Sequence, residues 1–285
     1  MFRFVSVCFV LLFFLTCVTD GTYIDDLYDI NEIENIPVRT SSDNRSSVDF
    51  PNVIRIVMAA DNALLPPNIK SVITNNISNQ IFNNELNFIL QNVDRYFWIL
   101  VDKENSLSSD YIPQNLVHLQ DSSFRVNRND LFLRSIAVTN LEEMSIAAAA
   151  EGLTIIVSSA YRSYVSQEQI YTRNVNQMGR QAADRVSARP GHSQHQLGTT
   201  VDFGSITNAF AQTREGRWIT ANASSFGWSL SYPDGYEHVT GYSWESWHYR
   251  YVGKEVAAFI DKYFDGIQQY ALRFLHEYSK LIQNN

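Results

Sequence analysis

Ser193-Gln-His195-Gln-Leu-Gly198-Thr-Thr-Val-Asp202 places a histidine and an aspartate seven residues apart across a glycine. The glycine predicts a turn, and Val201 to Phe203 after it predicts a strand. The spacing is not the i, i+4 pair of a helical His-Glu-x-x-His motif. Further along, Glu245-Ser-Trp247-His248 brings a second imidazole and a spare carboxylate. A catalytic zinc site takes three protein ligands and keeps one position open. A carboxylate that is not a ligand can then serve as base toward water. His195, Asp202 and His248 supply such a ligand set for one Zn²⁺ per chain, with Glu245 left over as base. On residue types alone, a surface histidine with a loop-capping aspartate explains the first pair equally well, and Glu-x-x-His recurs by chance.

The chain has 285 residues, 45% hydrophobic and 18% charged, enough for one ordinary core with a smaller appendage. A formal charge of −8 argues against nucleic acid as a partner, since binding it needs a basic face. Arg3 followed by the apolar run Phe4 to Val18 reads as an export signal. The run is shorter than the roughly 20 residues of a membrane span. Both cysteines, Cys8 and Cys17, fall inside it, so the mature chain has no thiol for a disulfide, a metal or a nucleophile. Leu15-Thr16-Cys17 resembles a bacterial lipobox; lipidation at Cys17 and plain cleavage near Thr19 to Gly21 are the two outcomes. Membrane contact is expected only through this segment or that anchor.

Residues 1–21 are thus a signal segment, 22–52 an acidic polar tether, 53–95 an N-terminal extension and 96–285 the catalytic domain. Val53 to Met58 is β-branched and predicts a strand, and Phe97 to Val101 predicts another. Apolar spacing predicts a helix over 78–93 and a second from Leu131, capped by Asn129 or Asp130 and ended by Gly152. Leu153 to Val157 predicts a buried strand running into a loop with Arg162. Helices are expected over 163–178, 182–186, 215–226 and 254–283, the last broken at Gly266. Trp228 to Leu230 and Trp247 to Val252 predict strands, the second with His248 and Arg250 on one face. Helices and strands do not alternate as in βαβ repeats, which favours α+β with a small antiparallel sheet.

Three blocks decide among these readings. Ser158-Ser-Ala-Tyr-Arg162-Ser-Tyr-Val-Ser-Gln167, then Pro190-Gly-His-Ser193-Gln-His195-Gln-Leu-Gly198-x-x-x-Asp202, then Glu245-x-Trp-His248-Tyr-Arg-Tyr-Val-Gly253, resemble in order the blocks of the VanY-type D-alanyl-D-alanine carboxypeptidases, zinc peptidases of the LAS group. The resemblance runs from about Tyr96 to Gly253. It implies the LAS-type fold, an α+β unit whose sheet is flanked by helices and carries the zinc. It implies His195, Asp202 and His248 as zinc ligands and Glu245 as catalytic base. Arg162 and Gln167 then hold the peptide terminus or the developing oxyanion, and Ser193 contacts substrate. A guanidinium suits a free α-carboxylate because it binds bidentately. The implied substrate is a peptidoglycan stem peptide in the bacterial cell envelope, cut by an exported enzyme at its terminal D-alanine. L,D-carboxypeptidases of tetrapeptide stems, D,D-dipeptidases and non-catalytic zinc modules share similar blocks. This chain departs from the family pattern at Thr199 and Thr200, at Ser246 in place of the usual proline, and at Ala160. These departures are expected to alter pocket shape.

Overall fold

The computed structural model describes residues 50–283. The expectations for the signal segment, for Cys17 and for nearly all of the tether lie outside the described residues. In chain order the helices are α1 (Phe50–Asn62), α2 (Pro67–Asn76), α3 (Gln80–Asn92) and the short α4 (Arg95–Trp98). The strands β1 (Leu116–His118), β2 (Arg125–Val126) and β3 (Phe132–Arg134) precede α5 (Ser135–Ala150), β4 (Ile156–Ser159), α6 (Tyr164–Met178) and α7 (Arg180–Val186). Then come β5 (Thr200–Phe203), α8 (Arg214–Asn222), β6 (Trp228–Leu230), α9 (Glu237–Thr240), β7 (His248–Tyr251), α10 (Lys254–Tyr263) and α11 (Gln268–Gln283).

Five strands form one sheet in the order β2-β4-β5-β7-β6. Every pair in it is antiparallel except β2–β4, which is parallel. The antiparallel expectation therefore holds for the strands that carry the site, and the edge pair departs from it. Side chains alternate across a strand. Val201, Phe203, Tyr249 and Tyr251 enter a core beneath α5 and α8, where they meet Leu141, Met144 and Ile219. Thr200, Asp202, His248 and Arg250 take the opposite face, with Asp202 directly across from His248 and Thr200 across from Arg250.

A second apolar cluster joins α1, α2 and α3 to α10 and α11. Here the structure overturns the expected strand at Val53–Met58, which lies within α1. Ile56, Ala59, Ala60 and Ala63 are the buried residues, a helical spacing, while Ile54 and Met58 are exposed. Packing against α11 overrides the β preference of the branched residues. The expected strand at Phe97–Val101 is also corrected. Asp94 caps α4 by accepting from Tyr96 N at 2.9 Å. The carbonyls of Tyr96, Phe97 and Ile99 all accept from Arg250 Nη2, at 3.2, 3.2 and 2.9 Å. A buried guanidinium thus takes the place of a neighbouring strand. The helix expected from Leu131 starts at Ser135, because Phe132–Arg134 pairs with Leu116–His118 instead.

Candidate metal centre

Three adjacent strands and one turn assemble the site. β4 ends at Ser159 and hands the chain to Arg162. The turn Gln194–Leu197 is a single 3₁₀ segment stopped by Gly198 at φ 67°. A Cβ there would come within 2.9 Å of Leu116 Cδ2 and Pro113 Cγ, so only glycine both adopts that φ and fits. This stop directs the chain from His195 into β5 and Asp202, and β7 sets His248 opposite.

His195 Nε2 lies 3.3 Å from Asp202 Oδ2, and His248 Nδ1 lies 3.2 Å from Asp202 Oδ1. The imidazoles stand nearly perpendicular, centroids 4.9 Å apart. One ligand atom from each of the three residues falls within 4.8 Å of the others, and all three residues are buried. Each ring is held by its far nitrogen. His195 Nδ1–H donates to Ala160 O at 2.7 Å, and His248 Nε2–H donates to Gln194 Oε1 at 3.3 Å. Those bonds fix which nitrogen faces Asp202. Asp202 Oδ1 is buried and, among the described residues, satisfied by no protein donor, with His248 Nδ1 standing 3.2 Å away. Two oriented ring nitrogens facing a carboxylate that keeps one orphaned oxygen make a donor set that a cation completes, and its N,N,O composition suits zinc.

Charge is strongly coupled here. Burial pushes His195 down to about 4, against the pull of Asp202. Burial also opposes charge on His248, but the Asp202 and Glu245 carboxylates overcome it and raise that ring to about 9. Asp202 is driven well below the usual carboxylate range: burial resists, and the two imidazoles prevail.

Glu245 Oε2 lies 3.3 Å from His248 Nδ1. Arg162 Nη2 lies 4.0 Å from Asp202 Oδ2. Burial lowers the Arg162 pKa, and Asp202 and Glu245 oppose that shift. Arg162, Ser193, His195, Asp202, Glu245 and His248 share one cleft of about 190 Å³, walled also by Tyr232, Tyr242 and Trp247. Gln167 stands behind this wall. Its Oε1 accepts from Arg162 Nη1 at 2.9 Å, and its Nε2 donates to Ala188 O at 2.6 Å. Thr199 and Thr200 do not line the cleft. Both are fully buried, and Thr200 Oγ donates to Gln194 O at 3.1 Å, which corrects the expectation that they shape the pocket. His192 is tied to Asp102 O at 2.7 Å, away from the cluster.

Sequence reasoning missed the support behind His248. Gln194 Oε1 also accepts from Ser231 Oγ at 2.7 Å, and Gln194 Nε2 donates to Gln268 Oε1 at 3.3 Å. Gln268 Nε2 in turn donates to Ser229 O at 3.1 Å. Adjacency to His195 was the one available signal for Gln194; Ser231 and Gln268 carried none.

Fold and cluster together define a zinc metallopeptidase. The family model described as VanY, D-alanyl-D-alanine carboxypeptidase, matches residues 130–254. The chain is 34% identical over 184 residues to the putative carboxypeptidase YodJ of Bacillus subtilis (strain 168), covering 60% of this chain and 67% of that protein. Among solved structures, the LdcB LD-carboxypeptidase superposes with a TM-score of 0.54 at 33% identity, over 59% of this chain and 85% of LdcB. A VanY D,D-pentapeptidase from a VanB-type resistance cassette, in complex with Zn(II), superposes with a TM-score of 0.51 at 31% identity, over 65% and 99% of the two chains. The chain belongs to the VanY family of D-alanyl-D-alanine carboxypeptidases.

Proposed function

We propose that this chain removes the terminal D-alanine of peptidoglycan stem peptides, outside the cytoplasm, using one zinc ion held by His195, Asp202 and His248. The observation that carries this reading is the cleft itself. It sets a candidate base, Glu245, and a half-buried guanidinium, Arg162, beside the same His–Asp–His cluster. Zinc, when bound, lowers the pKa of a water molecule toward about 7 and polarises the scissile carbonyl.

The chain's own groups supply the rest. Glu245 takes the proton of the attacking water and returns it to the departing D-alanine amine. Arg162 binds the free α-carboxylate through N–H groups that its bonds to Gln167 and Ser159 leave over. Gln167 acts through Arg162 by fixing its fork, and Ser193 presents a hydroxyl to bound peptide. Tyr232 lies against the His248 ring with centroids 4.7 Å apart and keeps water from that side. Export by the segment at residues 1–21, with or without a lipid on Cys17, brings the enzyme to this substrate.

The test is D-alanine release from a muramyl pentapeptide before and after chelation. Activity should vanish with the metal and return with added zinc. Glu245→Ala should keep stoichiometric zinc and lose about 10²- to 10⁴-fold in kcat, the usual worth of a general base. Undiminished release after complete zinc removal would sink the reading. Running a tetrapeptide and D-alanyl-D-alanine beside the pentapeptide separates D,D- from L,D-carboxypeptidase and dipeptidase action.

A further inference from the structure

We propose that Asn208 is the positioning residue for Glu245; this rests on the reading of Glu245 as the base. Asn208 opens a 3₁₀ segment, Asn208–Gln212, far from the motif in sequence. Its Nδ2 donates to Trp244 O at 3.0 Å, and its Oδ1 accepts from Ser246 N at 3.1 Å. One side-chain amide therefore clamps the peptide groups on both sides of Glu245. The partners fix the amide's orientation, because a carbonyl only accepts and a backbone N–H only donates.

The remaining peptide groups of the loop are held as well. Glu245 N donates to Tyr232 O at 3.0 Å, and Glu245 O accepts from His248 N at 3.2 Å. Packing on the outer side does not add to this, since Trp244 and Ser246 border a cavity of about 490 Å³. The Ser246 hydroxyl is buried without a partner among the described residues, so the loop uses that residue's N–H rather than its side chain. The mount is rigid: two residues beyond Asn208, Phe210 is 3% exposed within the core beneath the sheet. Where the family pattern has proline at this position, ring closure restrains the backbone and no N–H is available. Here Asn208 and the Ser246 N–H supply that restraint by hydrogen bonding.

Steady-state kinetics on the zinc-loaded protein with muramyl pentapeptide tests this, with zinc content measured alongside. Asn208→Ala should lower kcat at least about tenfold, since a misplacement near 1 Å costs on the order of 100-fold. KM and zinc stoichiometry should stay within about twofold, because Arg162 and the ligands are untouched. Adding Ser246→Pro to Asn208→Ala should recover most of the lost kcat, as the ring replaces the hydrogen bond. Unchanged kcat in Asn208→Ala overturns the proposal, as does a loss shared with zinc binding or one the proline leaves unrepaired. Should the parent enzyme release no D-alanine, the functional reading fails. Amide exchange at Ser246 then decides the clamp: exchange at least about ten times faster in Asn208→Ala supports it, and unchanged exchange overturns it.

Discussion

Asp202 faces two imidazoles that titrate in opposite directions, and this sets how the metal-depleted protein should respond to pH. His195 holds its proton only below about 4 when folded, against an ordinary value near 6.5. The unfolded chain therefore binds more protons between those values, and stability is lost as pH falls through that window. His248 keeps its proton up to about 9 when folded, so the sign reverses and stability is lost as pH rises from 6.5 to 9. Chelated protein should accordingly show its highest Tm near pH 6.5, with a fall on both sides, and zinc, whose imidazole ligands carry no extra proton when it is bound, should remove the alkaline fall. A Tm that climbs steadily from pH 6.5 to 9 after chelation would contradict this. The His195–Asp202–His248 cluster was legible in sequence because zinc limits the residue types and the blocks fix their order. Gln194, Tyr232 and Asn208 were not, because each acquires its role from a partner that only the fold brings near. Thr199 and Thr200 misled for the same reason: a place inside the motif does not say which way a side chain faces.

At the scale of elements, α1 and α4 show where local pattern fails. Val53 to Met58 satisfies every local criterion for a strand, and only the alanines beyond it, at 59, 60 and 63, reveal a helical stripe. The two periods make different claims about Ile54 and Ile56. In a strand they share a face; in α1 Ile56 is fully buried and Ile54 is 44% exposed. Ile56→Ala should therefore cost about 2–5 kcal/mol in urea unfolding, while Ile54→Ala should stay within about 0.5 kcal/mol. Equal losses at the two positions would restore the strand reading. For α4 the deciding partner is Arg250, a residue more than 150 positions away whose guanidinium meets three carbonyls. Burial lowers that group to about 9, and no carboxylate among the described residues pairs with it. No window of sequence around Phe97 contains that information. Among the elements that were legible are α3, α6, α7, α8, α10, α11, β5, β6 and β7, several with local caps, such as Ser163 accepting from Ser166 N at 3.2 Å at the start of α6.

At the scale of the whole molecule, the family match begins at residue 130, yet α1 to α3 share an apolar cluster with α10 and α11. We expect that deleting residues 50–95 strips one side of that cluster, and that the shortened chain loses cooperative unfolding and aggregates on size-exclusion chromatography. A monomeric product with sharp unfolding would instead mark 53–95 as a separable appendage. The reach of α11 extends further, because Gln268 holds Gln194 and Gln269 Nε2 donates to Asp102 Oδ2 at 2.7 Å. Side-chain hydrogen bonds from α11 thus reach Gln194, the residue that holds the His248 ring. One contact also sets how the molecule bears load. Tyr278 near the end of α11 donates its hydroxyl to Asn52 Oδ1 near the start of α1. Tension applied at residues 50 and 283 would part α1 from α11 one turn at a time, like a zipper opened from its tab.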